Sequence, residues 1–397
     1  MAIVASNTSL VLLVAWGGAA ALAVAMGIGR FAFTPLLPMM QRDGGLSLTE
    51  GGWLASANYL GYLIGALSAI WIRAAPTIMV RLGLFLTAAL TFAMGLTHEL
   101  PLWLLMRGAG GVASAWVLVY AAAWALPLLA QWNQPARSGL VFSGVGAGIA
   151  VTGLLCHGLA ALNAASANVW KLLGGMALLL SLFVWGAVAR GGASAPTVHS
   201  GAAGFRWTSY MRGLVACYGV FGFGYIIPAT FLPVIARRTI HDPHVVDLYW
   251  PVFGLAAFLS TLLASSLSGR LDDRRILAGS FALEALGVTA VAFSPTAVGT
   301  GLCALLVGGT FMVITMQGLR EARRIAGPGV SRFMGLMTAA FAVGQIIGPL
   351  YAAYLVRWSG SFQWPLLTAA ALMAASVTAL FPRNEAAMPG ITKEAGS

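Results

Sequence analysis

The 397-residue chain is short of charge: Asp, Glu, Lys and Arg together make up 8% of it, and the acidic residues number only 11. A soluble domain carries about 25% charged residues, so a water-facing surface of ordinary composition is excluded. Cysteine is scarce as well. The 3 cysteines, Cys156, Cys217 and Cys303, each fall inside an apolar segment, which leaves them as small core residues and argues against a disulfide framework or a metal site. Catalytic signatures are missing too. There is no HExxH, no Walker or dinucleotide glycine loop, no paired aspartates within an apolar segment, and no serine partnered by histidine or lysine at helical spacing. These gaps argue against an enzyme and against ATP-driven transport, and they lead us to expect no cofactor. With both tails short, no appended receptor or structural module is expected.

What is present is hydrophobic: 59% of the residues are apolar. Uncharged stretches recur along the whole chain, among them 51–72, 82–97, 108–136, 138–170, 285–319 and 358–382. A helix crossing a bilayer needs about 20 such residues. The pattern predicts twelve spans, at 11–40, 50–72, 77–97, 100–130, 138–162, 168–190, 209–236, 246–268, 273–293, 296–319, 331–357 and 361–382. The first apolar run lacks a basic leader and reads as a retained helix.

The net charge of +11 is a signal of topology, and no nucleic-acid partner is expected. With both termini placed in the cytoplasm, Arg73, Arg81, Arg137, Arg190, Arg206, Arg212, Arg270, Arg274, Arg275, Arg320, Arg323, Arg324, Arg332, Arg383 and Lys393 fall inside. Only Arg42, Lys171, Arg237, Arg238 and Arg357 fall outside. This positive-inside bias sets the expected orientation.

The stretch GGASAPTVHSGAAG (191–204) is small, polar and turn-rich, and it reads as a linker between two halves. The expected organisation is an N-terminal six-helix bundle (10–190), a cytoplasmic linker (191–208), a C-terminal six-helix bundle (209–382) and a tail (383–397). The halves echo one another. Gly27, Gly29 and Pro38 recur at one offset as Gly222, Gly224 and Pro233, and Gly144 and Gly148 recur at a similar offset as Gly344 and Gly348. Parallel repeats of this kind place a substrate site near the midplane, between the halves.

The loop SGRLDDRRIL (268–277) carries Gly269, Leu271, Asp273, Arg274 and Arg275 in a pattern that resembles the cytoplasmic loop motif of the major facilitator superfamily. That resemblance implies a conformational latch at Gly269, Asp273 and Arg274, with an aspartate capping a helix start and pairing with arginine. The matching loop of the first half, WIRAAPTIMVR (71–81), departs from the motif. GIGRFAFTPLLPMM, SANYLGYLIGAL, YGVFGFGYIIPATFLPVIAR, GGTFMVITMQGLREARR and GQIIGP resemble the YbfB/YjiJ branch of that superfamily, from the first span to the eleventh. The resemblance implies an all-α membrane protein of twelve transmembrane helices in two pseudo-symmetric six-helix bundles. It further implies a secondary transporter of the bacterial inner membrane, working by alternating access, and a monomer is expected.

Arg30 is the feature that needs explanation. A guanidinium near the bilayer centre costs about 2.5–3.5 kcal/mol on insertion scales, and such a group is taken as functional by default. Arg30, Asn58 and Arg107 are expected in one layer of the first, second and fourth spans, in a half whose spans hold no acidic residue beyond Glu50 at the edge of the second. An organic anion, a carboxylate above all, would offset two such cations through charge-assisted hydrogen bonds. The alternatives are that Arg30 caps carbonyls freed by the glycines and Pro35, and that Arg107 serves packing or proton coupling. Asn58 and Tyr62 either line the site or hold helices together.

In the second half Tyr225 takes the repeat position of Arg30. Tyr218 shares its face, and Thr310 and Gln317 share a face of the tenth span. All four are candidate substrate contacts or ordinary interhelical contacts. Tyrosines opposite arginines favour an amphipathic small-molecule anion. Protons are the expected coupling ion, with Glu284 and His157 as candidate carriers. The competing reading is a proton-coupled exporter of lipophilic or cationic compounds, which would favour acidic residues in the spans of the first half.

Overall fold

The computed structural model describes residues 8–191, 207–240, 243–267 and 270–381. Gly269, most of the expected linker and the expected tail lie outside the described residues. Within the described residues the chain is helical and forms twelve rods in sequence order. They are α1 (Thr8–Gly44), α2 (Leu48–Ser68), α3 (Pro76–Met94), α4 (Leu100–Gln131), α5 (Ser138–Ala161) and α6 (Ser166–Gly191), then α7 (Ser209–Thr239), α8 (Pro243–Leu267), α9 (Asp273–Phe293), α10 (Ala297–Ala326), α11 (Val330–Ser359) and α12 (Gln363–Ala379).

Ten of these rods are long and apolar enough to cross a membrane. The others are α2, diluted by Gly, Ser, Asn and Tyr, and α12, which has 17 residues. The outer faces of the bundle present Trp53 on α2, Leu105 on α4, Leu179 on α6 and Trp358 on α11 to the surroundings. Such a surface suits lipid and would be an aggregation liability in water.

The repeated glycines do equivalent jobs in the two halves. A Cβ on Gly27 would lie 2.5 Å from the Cα of Gly148, and one on Gly144 would lie 1.9 Å from the carbonyl oxygen of Ala19. Helices α1 and α5 therefore touch backbone to backbone. In the second half a Cβ on Gly222 would sit 2.0 Å from the Phe341 carbonyl oxygen, and one on Gly344 would sit 2.1 Å from that of Gly219. This brings α7 onto α11 in the same manner. Lipid tails supply no hydrophobic drive for helices to associate, so close backbone packing of this kind carries much of the cohesion.

α1 is not uniform. Ala23–Phe31 is a π-helix, and it contains Gly27, Gly29 and Arg30. A π-helical stretch widens the turn and misaligns the backbone ladder, and such segments concentrate at functional sites. Pro35, a few residues on, has no N–H to donate to a carbonyl of the preceding turn. Side chains of α4 bond to this stretch: Ser114 donates to Ala25 O at 2.9 Å and Arg107 Nη1 donates to Gly29 O at 3.0 Å.

The two ends of the bundle differ. At the arginine-rich end the halves are tied together. Arg323 Nη1 donates to Leu126 O at 2.7 Å, the Gly139 amide donates to Ser265 Oγ at 3.0 Å, and Ser265 Oγ donates in turn to Ala136 O. At the opposite end α1, α5, α7, α8 and α10 surround an apolar recess with about 790 Å3 of unfilled space.

Candidate functional site

Below the recess lies a second, smaller chamber of about 410 Å3 of unfilled space, lined by Met26, Phe31, Tyr62, Leu118, Tyr218, Tyr225, Phe311, Phe341 and their neighbours. Its walls come from α1, α2 and α4 of the first half and from α7, α10 and α11 of the second. An aromatic partition separates the two spaces. The Phe31 ring centroid is 6.1 Å from that of Trp250 and 6.1 Å from that of Phe311, and Phe253 is 5.0 Å from Phe311. Trp250 and Phe253 line the recess, while Phe31 and Phe311 line the chamber.

Arg30 stands against the chamber wall and is 3% exposed. Its guanidinium carbon lies 4.0 Å from the Tyr62 ring centroid and 5.5 Å from that of Tyr59. Cation–π contacts of this kind return about 2 kcal/mol or more when desolvated. Arg30 Nη2 donates to Gln345 Oε1, and Gln345 Nε2 reaches the Tyr225 hydroxyl at 2.5 Å. Among the described residues no carboxylate touches the guanidinium, and its Nε and Nη1 have no hydrogen-bond partner. Arg30 and Tyr225, equivalent positions in the repeats, thus converge on one amide.

The remaining sequence candidates are divided between this site and others. Tyr62, Tyr218 and Tyr225 line the chamber. Tyr218 turns its hydroxyl to α10, 2.8 Å from Thr315 O. Arg107 leaves the Arg30 layer's central face and points into the first half. It borders a separate pocket with Gly29, Thr87 and Trp170, and its Nη2 lies 3.4 Å from Arg30 O. The carbonyl-capping job considered for Arg30 therefore belongs to Arg107. Asn58 donates to Arg107 O at 2.9 Å and so fastens α2 to α4.

Thr310 turns away from the chamber toward α9, with its hydroxyl 3.1 Å from Glu284 Oε2 and 2.7 Å from Leu306 O. Gln317 is fully buried on α10, where Thr315 and Leu319 line the chamber instead. Glu284 is 0% exposed, and its Oε1 has no partner among the described residues. His157 is half-buried and borders the recess.

The loop motif also acquires partners. Asp272, one residue before the expected aspartate, caps α9 by accepting from the Arg274 amide at 3.2 Å. Asp273 pairs with Arg320 at 3.3 Å, and Arg274 pairs with Glu321 at 3.1 Å, so both join α9 to α10. Glu321 also accepts from Tyr210 at 2.8 Å and from Arg324 at 2.7 Å.

Two participants escaped the sequence reading. Glu321 hides among arginines in GLREARR, where charge reads as a solvated helix end. Gln345 sits in GQIIGP, where the glycines and Pro349 account for the pattern as a bend. A polar side chain flanked by packing glycines was the available signal.

A multi-pass helical protein with an aromatic-lined gap between repeated halves has the form of a membrane transporter. The family model described as uncharacterised MFS-type transporter YbfB matches residues 22–380, and the chain belongs to that family. It is accordingly a secondary transporter of the major facilitator superfamily and not an enzyme. Solved structures agree on the fold. One is the transporter FucP in the outward conformation, with a TM-score of 0.66 at 15% identity, covering 91% of this chain and 97% of that one. Another is the human organic anion transporter MFSD10 (TETRAN), with a TM-score of 0.71 at 13% identity, covering 94% and 100%. Comparison with the curated proteins returns no match.

Proposed function

We propose that this transporter carries a small amphipathic organic anion, a carboxylate with an aromatic or alkyl body, by alternating access of the chamber. The observation that carries the reading is Arg30: a buried guanidinium at the boundary of the two halves, bonded to a neutral amide and touching no carboxylate among the described residues. Rings and an amide offset part of its desolvation cost, and an anion would offset the rest. The aromatic walls supply the apolar contact that an organic body needs. Together these favour carboxylates over sugars and over small inorganic anions.

In this reading Glu284 carries the coupling proton. It is a buried carboxyl held by one hydroxyl, so it can gain or lose a proton without breaking an ion pair. The arginine-rich end faces the cytoplasm of a bacterial inner membrane, by the positive-inside bias. The recess then opens outward while the ties at the arginine-rich end stay closed. The protein works as a monomer of two six-helix bundles joined by the linker.

A thermal-shift screen of the purified protein at fixed pH tests the substrate class, because a ligand that binds the native state raises apparent stability. Benzoate and octanoate are expected to stabilise it, with benzamide and glucose far weaker. Stabilisation confined to a lipophilic cation such as tetraphenylphosphonium would overturn the anion reading and favour cation export.

A further inference from the structure

We infer that Gln345 is an intramolecular stand-in for the substrate's carboxylate, occupying Arg30 in the empty transporter and tying the halves together until an anion displaces it. The inference rests on the anion reading and extends it to the step that links binding to movement.

The geometry has three parts. Gln345 belongs to α11 and Arg30 to α1, so their hydrogen bond crosses from one half to the other. The amide nitrogen of Gln345 is simultaneously held by Tyr225 on α7, 2.5 Å away, and both residues are 0% exposed. The glycines that flank Gln345 fix its place. A Cβ on Gly344 would lie 2.1 Å from Gly219 O and one on Gly348 would lie 2.8 Å from Phe223 O, so α11 sits directly on α7 here.

An amide is the side chain such a role requires. Its oxygen satisfies one guanidinium N–H and leaves the nitrogens Nε and Nη1, with three N–H between them, without a partner among the described residues. A carboxylate accepts two N–H bonds at once and cancels the charge, so it outcompetes the amide. A glutamate at 345 would form a permanent buried ion pair that no substrate displaces. An apolar residue would leave the empty guanidinium without a hydrogen bond.

Displacement also has a mechanical consequence. When an anion takes Arg30, Gln345 keeps its bond to Tyr225 and loses its bond across the boundary. The ligand thereby binds one arrangement of the halves better than the other, which is the condition for driving a conformational change. The backbone is prepared for movement at the same place. Pro349 has no N–H to give the carbonyl of Gln345, so the helical ladder is open by one bond at the tether.

The test uses the full chain in nanodiscs, as wild type, Gln345→Leu and Gln345→Glu. Benzoate and octanoate binding is read by thermal shift. Spin labels at the exposed positions 73 and 270, one in each half at the arginine-rich end, report the separation of the halves. Gln345→Leu is expected to bind benzoate about tenfold more tightly, since a competing bond to a charged group is gone. It should also populate a longer label distance without ligand, as benzoate does in the wild type. Gln345→Glu, which is isosteric and independent of any folding defect in the leucine variant, should bind at least roughly tenfold more weakly and hold the short distance alone. Wild-type binding with unchanged affinities and distances in both variants would overturn the stand-in role and leave the anion reading intact. A wild type that answers to neither carboxylate would overturn both, so the two failures are told apart by that arm.

Discussion

The two halves of this transporter treat buried charge in opposite ways. In the C-terminal half three arginines find carboxylates: Arg274 and Arg324, with Tyr210, converge on Glu321, and Arg320 meets Asp273, whereas Arg323 ties to a backbone carbonyl of the other half. In the N-terminal half Arg107 ends on two backbone carbonyls, and Arg30 ends on aromatic rings and an amide borrowed from the other half. Charges compensated within one half can only stabilise that half. A charge compensated by neutral groups, across the boundary, is still available to a ligand.

The largest effect expected from breaking this contrast is on the compensated side. Glu321→Ala strands two arginines and a tyrosine around an empty position, and loss of one partner of a buried pair costs about 3–5 kcal/mol. A melting point within a degree of wild type would show that the cluster is solvated and that the contrast is false. Next comes Arg30→Ala, expected to weaken benzoate binding roughly 100-fold, or about 2.7 kcal/mol, while the protein still inserts and elutes as one species. Arg30→Lys should recover little, because an ammonium lacks the planar fork. Full benzoate response in the alanine variant would leave Arg30 a purely structural residue.

Arg107→Met sharpens the distinction inside the N-terminal half. It uncaps the Gly29 and Arg30 carbonyls at the cost of about 1–3 kcal/mol of stability, with benzoate affinity reduced much less than in Arg30→Ala. Equal loss of affinity in the two variants would return Arg107 to the binding site. The smallest change in stability is expected for Glu284→Gln, within about 1 kcal/mol, since the amide keeps the Thr310 contact at similar volume. Its signature should appear in transport across a pH gradient, which loses its dependence on the gradient. Undiminished dependence would move the coupling role to His157 or elsewhere.

Much of the fold was legible before any coordinates. Each of the expected spans coincides with a helix, because avoiding charge over the width of a bilayer is a local property of the chain. The recurring glycines were legible as a repeat, and their role followed from chemistry: only a residue without a side chain permits the α1–α5 and α7–α11 contacts. Arg30 was legible as an anomaly for the same reason, since its desolvation cost depends on depth alone. The resemblance of the loop SGRLDDRRIL was informative about pairing but misplaced the cap by one residue. Adjacent aspartates at a helix start are distinguished only by backbone dihedral, with Asp272 extended and Asp273 already helical.

Partnership is what the sequence left open. Arg30 and Arg107 carry the same group at the same expected depth, yet one faces the other half and the other faces inward. The rotation of each helix about its axis decides that, and in α1 the π-helical turn at Ala23–Phe31 resets the rotation. Thr310 looked like a cavity residue because its spacing matches Gln317, whereas the packing of α9 on α10 gives its hydroxyl to Glu284. Gln345 meets Arg30 from the far end of the chain, in a bond that only the closure of one half on the other creates. Hydropathy and helical period are written residue by residue and determine what spans the membrane. Which buried polar groups meet depends on helix rotation and on the fit between halves, and those are set by contacts summed over the whole molecule.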